Sequence, residues 1–389
     1  MKKVVIVNNN MHIGGVQKAL VNLLNEIHKD YDVTLLLFDK SGDYLTEIPN
    51  DVKITTCNGA YQYFGISQTK AKQKSMLSFL IRGLLVLITK IFGRKTAVRL
   101  MNLTQPCIPN RYDVAISFLH EGSQKTFYGG CNDFVLKKVI SDKKIAWLHC
   151  DFEQCGANNE HSRNIYPKFD KIVACSDGCG QAFLRCLPDL TDKVVVIRNC
   201  NDYNAIKNAA SNGINYDDSF FNVVTVARLS GEKGIERGIV AVESCIKAGL
   251  QVHYHIVGSG VQENKLKQMV VEHRLENAVF FYGNQKNPYP YIINADLFLL
   301  PSYHEAAPMV FDEAACLGVP ILATKTTSTD EMVLASGNGY VCDNNTVSIC
   351  ENLIWILQHR NDLKIIKHNM LSKCYSNQDS IVEFAKLVE

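Results

Sequence analysis

The chain has 389 residues, of which 47% are hydrophobic and 21% charged, and its formal net charge is +2. This length exceeds what one hydrophobic core usually organises, so two domains are expected, and the composition is that of an ordinary globular protein. The small net charge argues against a dedicated nucleic-acid-binding protein.

The 14 cysteines are scattered, without a Cys-x-x-Cys pair or a zinc-type spacing. We interpret them as reduced core residues, which fits a reducing cytoplasm. The first apolar run, at 4–7, is too short for the apolar region of a signal peptide and predicts a strand instead. A cytoplasmic location is therefore expected.

Short β-branched runs alternate with amphipathic stretches along the whole chain. Apolar runs typical of buried parallel strands lie at 4–7, 33–38, 114–118, 145–148, 172–174 and 194–197, and, after a polar break near 200–218, at 223–226, 252–257, 279–281, 297–300, 320–323 and 339–341. This alternation predicts two doubly wound α/β domains, at 1–203 and 204–375. A C-terminal helix at 376–389 is expected to return to the first domain.

The residues that could bind a ligand follow predicted strands. In doubly wound sheets, ligands lie outside the carboxyl ends of the strands. The residues at the ends of predicted strands, or in the turns that follow them, are Gly15, His149, Arg228, Gly258 and Glu305. Their shared position predicts ligand-binding edges on both sheets.

Two cations leave the end of the strand at 223–226. Arg228 and Lys233 share a loop in which Gly231 and Gly234 allow a close approach to a ligand. Arginine binds phosphate bidentately and lysine binds it as a point charge, so the pair suits a diphosphate. The alternative is a solvated loop with ordinary surface charges.

Two carboxylates follow the strand at 297–300. Glu305 and Glu313 are eight residues apart, with Pro308 placed to start a helix between them. The free N–H groups of such a helix can bind phosphate or sugar hydroxyls. Glu305 can accept hydrogen bonds from a sugar and Glu313 from a ribose, unless Glu313 is only an exposed helix acid.

These motifs together resemble glycosyltransferase family 4. The resemblance rests on Gly14-Gly15, Arg228-x4-Lys233, Val257-Gly-Ser-Gly260, Phe281-Tyr-Gly-Asn284, Leu300-Pro-Ser302, Glu305-x7-Glu313 and Gly318-Val-Pro320. It covers nearly the whole chain and is strongest over 220–342. The chain is also similar to bacterial enzymes that extend polyprenyl-diphosphate-linked glycans.

The resemblance implies a GT-B fold, with two Rossmann-like domains facing a central cleft, and sugar transfer with retention and without a metal or other cofactor. Arg228 and Lys233 would hold the phosphates, Glu305 the donor sugar and Glu313 the ribose. His149 would lie beside the reacting carbon. The remaining donor-binding positions implied by the resemblance are Gly15, Gly258, Asn284, Met309 and Val310.

Two segments depart from the family pattern. Ala306 and Ala307 stand where many members have glycine followed by an aromatic residue, and Gln17 stands where an acid is common. The first departure obscures the identity of the donor sugar. Neither departure removes a charge from the expected phosphate site.

The expected reaction moves a hexosyl or N-acetylhexosaminyl group from a nucleotide diphosphate, such as UDP, to a glycan acceptor. The resemblance implies a polyprenyl-diphosphate-linked acceptor in the synthesis of capsule or another surface polysaccharide. One alternative is a sugar-nucleotide epimerase of the same fold. Another is a non-catalytic scaffold that binds a glycan or lipid.

A basic insert interrupts the first predicted domain. Between Val52 and Tyr112 there are ten basic residues and no acidic one, and the stretch 67–99 is amphipathic. We expect it to bind an anionic membrane surface or the acceptor, as a peripheral contact on the inner face of the cell membrane. The alternative is a helix buried against the sheet, with its basic ends in water. The residues expected at the contact are Lys70, Lys72, Lys74, Arg82, Lys90, Arg94 and Lys95.

Overall fold

The structure is a computed structural model that describes residues 1–211 and 214–389. The chain divides into two compact units. Unit 1 comprises Met1–Cys200 and Asn377–Glu389, and unit 2 comprises Asn201–Ser376. Within the described residues, the strands form a seven-stranded sheet in unit 1 and a six-stranded sheet in unit 2.

The unit 1 sheet has the order β3-β2-β1-β4-β5-β6-β7, and its neighbouring strands are parallel. Its strands are β1 (Lys3–Asn8), β2 (Asp32–Leu37), β3 (Lys53–Thr56), β4 (Arg111–Ser117), β5 (Ile140–Leu148), β6 (Lys171–Ala174) and β7 (Val194–Val196). The helices that follow them are α1 (Gly15–Ile27), α2 (Gln62–Gly65), α3 (Gln68–Lys74), α4 (Met76–Phe92), α5 (Arg94–Thr104), α6 (Cys131–Lys138), α7 (Glu160–Ile165) and α8 (Asp177–Cys186). The strand order reverses between β1 and β4, which places the switch point there.

The unit 2 sheet has the order β10-β9-β8-β11-β12-β13 and is also parallel. Its strands are β8 (Phe221–Val226), β9 (Val252–Val257), β10 (Val279–Gly283), β11 (Leu297–Leu300), β12 (Ile321–Thr324) and β13 (Gly339–Cys342). Its helices are α9 (Tyr203–Ala209), α10 (Ile235–Lys247), α11 (Glu263–Glu272), α12 (Tyr289–Ile293), α13 (Met309–Cys316), α14 (Thr346–Gln358) and α15 (Arg360–Leu371). Here the switch point lies between β8 and β11.

Apart from β3, the strands of both sheets coincide with the apolar runs seen in the sequence. Val4, Val5, Ile6 and Val7 of β1 are fully buried, because helices cover both faces of a parallel sheet. The prediction of two doubly wound α/β units is confirmed. The predicted break at 200–218 contains α9, and residues 212 and 213 of that stretch lie outside the described residues.

The last helix, α16 (Gln378–Val388), packs on unit 1. Lys2 Nζ donates to the carbonyl of Val388, and Lys143 Nζ donates to that of Leu387, each across 2.9 Å. The Phe384 ring meets Tyr31 edge to face, with centroids 5.6 Å apart. These contacts cap the carbonyl end of α16 with two lysines, which is a favourable place for positive charge.

Candidate functional site

Two loops of unit 2 meet beside the switch point of its sheet. The first loop follows β8 and contains a short 3-10 turn whose last residue is Lys233. The second loop follows β11 and carries Glu305. Lys233 Nζ donates to Glu305 Oε1 across 2.6 Å, and Ser302 Oγ donates to the same oxygen across 2.6 Å. The side chains of Lys233 and Glu305 are 20% and 9% exposed. Two residues 72 positions apart thus form one charged pair at the ligand-binding edge.

Arg228 lies on the same loop as Lys233 and reaches solvent. Its side chain is 74% exposed, and its Nη2 atom lies 3.8 Å from Glu232 Oε1. Glu232 Oε1 also accepts from Ser230 Oγ across 2.6 Å. This weak ion pair leaves most of the guanidinium N–H donors of Arg228 available to an incoming anion.

A buried arginine supports the loop that carries Glu305. Arg237 of α10 donates from Nε to the carbonyl of Pro301 across 3.0 Å, also contacts that carbonyl through Nη2, and donates from Nη1 to Asn344 Oδ1 across 2.8 Å. Its guanidinium lies 3.8 Å from the ring centroid of Tyr303, and burial lowers its pKa. Sequence reasoning missed Arg237, because no motif or spacing distinguishes it from other helical arginines.

The helix α13 begins directly after Pro308, as its sequence predicts. Met309 and Val310 are its first two residues, and their N–H groups belong to the helix end that carries partial positive charge. Glu313 is 8% exposed and Met309 is 7% exposed, while Val310 is half-buried. Glu313 is therefore not a solvated helix acid, which removes the alternative interpretation of this residue.

The loops after β9 and β10 border the same edge of the unit 2 sheet. Gly258 has φ of 140°, and a Cβ atom there would lie 1.9 Å from the carbonyl oxygen of Ala227. Only glycine fits this position, because the backbones of two neighbouring loops touch. The amide of Gly258 donates to the carbonyl of Gly283 across 2.8 Å, and the exposed Asn284 follows directly.

Gly15 opens α1 after β1, and a Cβ atom there would meet no atom within 4 Å. Packing therefore does not require glycine at this position. We expect Gly15→Ala to leave the melting temperature unchanged or slightly higher, since alanine favours helix over glycine. If a ligand approaches this backbone, the same change lowers turnover about 10-fold or more.

Thermal melting and steady-state kinetics of Gly15→Ala check this expectation. Gly258→Ala is the matched control, because its Cβ would collide with Ala227 and should lower the melting temperature. Wild-type turnover in Gly15→Ala would show that no ligand approaches Gly15 closely.

His149 follows β5 in unit 1 and lies among aromatic rings. The imidazole ring is parallel to the Trp147 ring, and the two ring centroids are 6.0 Å apart. The centroid of the Phe118 ring lies 4.6 Å from that of the imidazole. Burial, and secondarily the neighbouring His120, lower the pKa of His149 to about 3, so the ring is neutral at physiological pH. Its Nε2 atom is buried and has no hydrogen-bond partner in the described part of the chain.

Sequence reasoning also missed His120, which follows β4. Burial and the charge of Arg94 lower the pKa of His120 to about 4, and its Nδ1 atom is buried without a hydrogen-bond partner among the described residues. Both histidines come shortly after neighbouring strands at the carboxyl edge of the unit 1 sheet. The sequence did contain a signal for His120, because this histidine follows the predicted strand at 114–118 as His149 follows the one at 145–148.

Some basic residues of the insert are bonded to other residues of unit 1, and others are exposed to solvent. Lys70 and Lys74 both bind the carboxylate of Asp39, at 2.6 and 3.0 Å. Arg82 Nε donates to the carbonyl of Ile66, and Arg82 Nη1 donates to Gln68 Oε1, each across 2.8 Å. These three residues hold the insert on unit 1, so their charges are already engaged there.

The expectation that Arg94 lies at a membrane contact is wrong. Arg94 is fully buried and pairs with Glu121, which is also fully buried. A guanidinium in this position is removed from solvent and cannot meet a lipid headgroup. The side chains of Lys72, Lys90 and Lys95 are exposed.

The described residues, 1–211 and 214–389, contain neither a cluster of metal ligands nor a membrane-spanning helix. No group of three or more His, Cys, Asp and Glu side chains there is arranged to hold a metal ion. In the same ranges, no helix is both long and apolar enough to cross a membrane.

A part of the chain, and its fold as a whole, are similar to known proteins. Residues 207–372 match the family described as "Glycosyl transferases group 1". The whole chain superposes on Anabaena HepE in complex with UDP and glucose, with a TM-score of 0.71 and 16% sequence identity, covering 100% of this chain and 99% of HepE. The chain therefore has the same fold as HepE, and the expectation of a GT-B fold is confirmed.

Curated relatives are similar over part of their length. The amylovoran biosynthesis glycosyltransferase AmsK of Erwinia amylovora is 29% identical over 127 residues, which is 31% of this chain and 31% of AmsK. The N-acetyl-alpha-D-glucosaminyl L-malate synthase of Bacillus anthracis is 31% identical over 111 residues, 27% of this chain and 29% of the synthase. The alignments thus span about a third of each relative.

Proposed function

We propose that this chain is a retaining glycosyltransferase of family 4 that takes its sugar from a nucleotide diphosphate, with UDP as the nucleotide. The observation that carries the proposal is the Lys233–Glu305 pair at the switch point of the unit 2 sheet. It lies inside the region that matches the group 1 family. The UDP in HepE supports the choice of nucleotide.

The cations of the unit 2 loop bind the diphosphate in this proposal. A lysine ammonium has three N–H donors, and Lys233 uses one of them on Glu305, so two remain for phosphate oxygens. Arg228 adds a guanidinium that can bind phosphate through two donors. Together with the N–H groups at the start of α13, they stabilise the charge that develops on the leaving diphosphate.

Glu305 binds the donor sugar. Lys233 and Ser302 both donate to its Oε1 atom, and a carboxylate has a second oxygen that can accept from a sugar hydroxyl. Arg237 is a positioning residue, because it holds the carbonyl of Pro301 at the start of this loop. Glu313 accepts from the ribose, and Gly258 and Asn284 border the nucleotide.

The reaction proceeds on one face of the sugar, and the leaving diphosphate helps to deprotonate the acceptor hydroxyl. The protein then contributes charge stabilisation and orientation, without a second carboxylate as nucleophile. His149 is neutral, and its Nε2 atom has no hydrogen-bond partner among the described residues, so it can bind a substrate hydroxyl without adding charge.

We propose that the acceptor is a glycan linked to polyprenyl diphosphate, and that the enzyme works on the inner face of the cell membrane. The transferred group is a hexosyl or N-acetylhexosaminyl group, and the product is capsule or another surface polysaccharide. AmsK, which is named for polysaccharide biosynthesis, supports this assignment. The exposed Lys72, Lys90 and Lys95 support a peripheral contact with anionic lipid.

A panel of nucleotide sugars tests the proposal. We expect one UDP-sugar to release UDP only when a lipid-linked acceptor is present, and the reaction to continue in EDTA, because Arg228, Lys233 and the α13 terminus supply the positive charge. Interconversion of two UDP-sugars without an acceptor would identify an epimerase. Binding without turnover would identify a scaffold, and activity lost in EDTA and restored by manganese or magnesium would contradict the phosphate site described above.

A further inference from the structure

The helix α4 packs on unit 1 through a side that mixes polar and apolar residues. Leu85 and Thr89 are its buried residues, and Arg82 on the same side bonds to Ile66 and Gln68. Ile81 and Ile88 also pack against the core, so α4 buries a mixed face and leaves other large apolar side chains in solvent, unlike an ordinary surface helix that exposes its polar face.

The opposite side of α4 is a continuous apolar surface, which we call the α4 stripe. Its residues are Met76, Leu77, Leu80, Leu84, Leu87 and Ile91, each between 52% and 67% exposed. Most of them are three or four positions apart, so they lie in one row along the helix. A row of large apolar side chains open to solvent is typical of an interaction surface.

The charges beside the stripe indicate what covers it. Lys72, Lys90, Lys95 and Arg99 are exposed, and there is no acidic residue between Val52 and Tyr112. A second copy of the chain, packed stripe to stripe about a two-fold axis, would bring these positive charges together. An anionic lipid surface would instead neutralise them while its acyl region accepts the leucines.

Three ion pairs, which involve two carboxylates, locate the insert on unit 1. Before α4, Lys70 and Lys74 bind Asp39, which lies two positions after the end of β2 at Leu37. After α4, Arg94 pairs with Glu121, which lies four positions after the end of β4 at Ser117. Both partners follow carboxyl ends of strands, so α4 is fixed beside the ligand-binding edge of this sheet.

We infer that the α4 stripe inserts into the interfacial region of an anionic bilayer and holds this edge of unit 1 at the membrane surface. This inference rests on the proposed function, in which the chain contacts anionic lipid, and it adds which residues make that contact. The apolar residues supply most of the binding, because Lys70, Lys74, Arg82 and Arg94 are engaged within unit 1. The exposed Lys72, Lys90, Lys95 and Arg99 add a smaller attraction that salt screens.

Co-sedimentation with vesicles of phosphatidylethanolamine and phosphatidylglycerol tests this inference. We expect the wild-type chain to sediment with the vesicles, and Leu80→Gln/Leu84→Gln to lower the partition coefficient about 10-fold or more. The matched control is Val347→Gln/Ile365→Gln, which changes two apolar side chains of unit 2 that are 66% and 62% exposed, and it should bind like the wild type. Circular dichroism and thermal melting establish that all forms are folded.

A second variant separates charge from apolar burial. Lys72→Gln/Lys95→Gln/Arg99→Gln should lose less binding than the leucine variant, and high salt should affect it less than the wild type. The inference fails if the wild type stays in the supernatant or if Leu80→Gln/Leu84→Gln sediments normally. It also fails if the stripe joins two copies, seen as a dimer that the leucine variant dissociates. The assay contains neither donor nor acceptor, so its outcome is independent of sugar transfer.

Discussion

Replacing Lys233 with alanine is expected to lower the turnover number about 100-fold or more, the usual effect of removing one group that stabilises charge in a partly enclosed site. The side chain is 20% exposed and binds Glu305, so its ammonium is held at the carboxyl edge of the unit 2 sheet. Steady-state release of UDP in the presence of acceptor measures the effect. Arg228→Ala is expected to act in the same direction.

The matched control for this prediction is Lys267→Ala. Lys267 lies on α11, and its side chain is 51% exposed in an ion pair with Glu263 across one helical turn, at 2.7 Å. Exposed pairs of this kind contribute little to stability, so the control should keep near-normal turnover. A folded Lys233→Ala enzyme with the turnover of the control would refute the assignment of the phosphate site.

The buried pair of Arg94 and Glu121 predicts the largest loss of stability. Arg94→Leu removes one partner and leaves the carboxylate of Glu121 buried without its counter-charge, since both side chains are fully buried. Breaking such a pair lowers the free energy of unfolding by about 3–5 kcal/mol. Urea denaturation followed by circular dichroism measures the change.

Two further variants test the origin of that loss. Arg94→Leu/Glu121→Leu should recover much of the stability, because no unpaired charge remains buried. Arg111→Leu, which removes an exposed partner of Asp142, should cost less than about 1 kcal/mol. If Arg94→Leu is no less stable than Arg111→Leu, the buried pair is not important to the fold.

The sequence was sufficient for the architecture, with one strand missed. Buried parallel strands appear as apolar runs, so β1 and β8 were visible without tertiary information. The missed strand is β3, Lys53–Thr56, in which three of the four residues are exposed. It lies at the edge of the unit 1 sheet and has no apolar run to reveal it.

The residues of the candidate site were predictable singly, and their interactions were not. Lys233 and Glu305 stood out because each follows a predicted strand, yet only the folded sheet shows that they form an ion pair. Arg237 supports the Glu305 loop from α10, but an isolated helical arginine carries no signal in one sequence. Contacts between distant segments depend on packing, which local patterns do not encode.

The sequence by itself determined that the chain has two doubly wound units, that cations and carboxylates follow their strands, and that the insert is basic and amphipathic. Only the tertiary structure decided which side of α4 faces solvent and which basic residues remain exposed. The reason is physical: an amphipathic pattern defines two faces of a helix but not their partners. Here Asp39 and Glu121, far from α4 in the sequence, bind Lys70, Lys74 and Arg94, and these ion pairs anchor both ends of the insert.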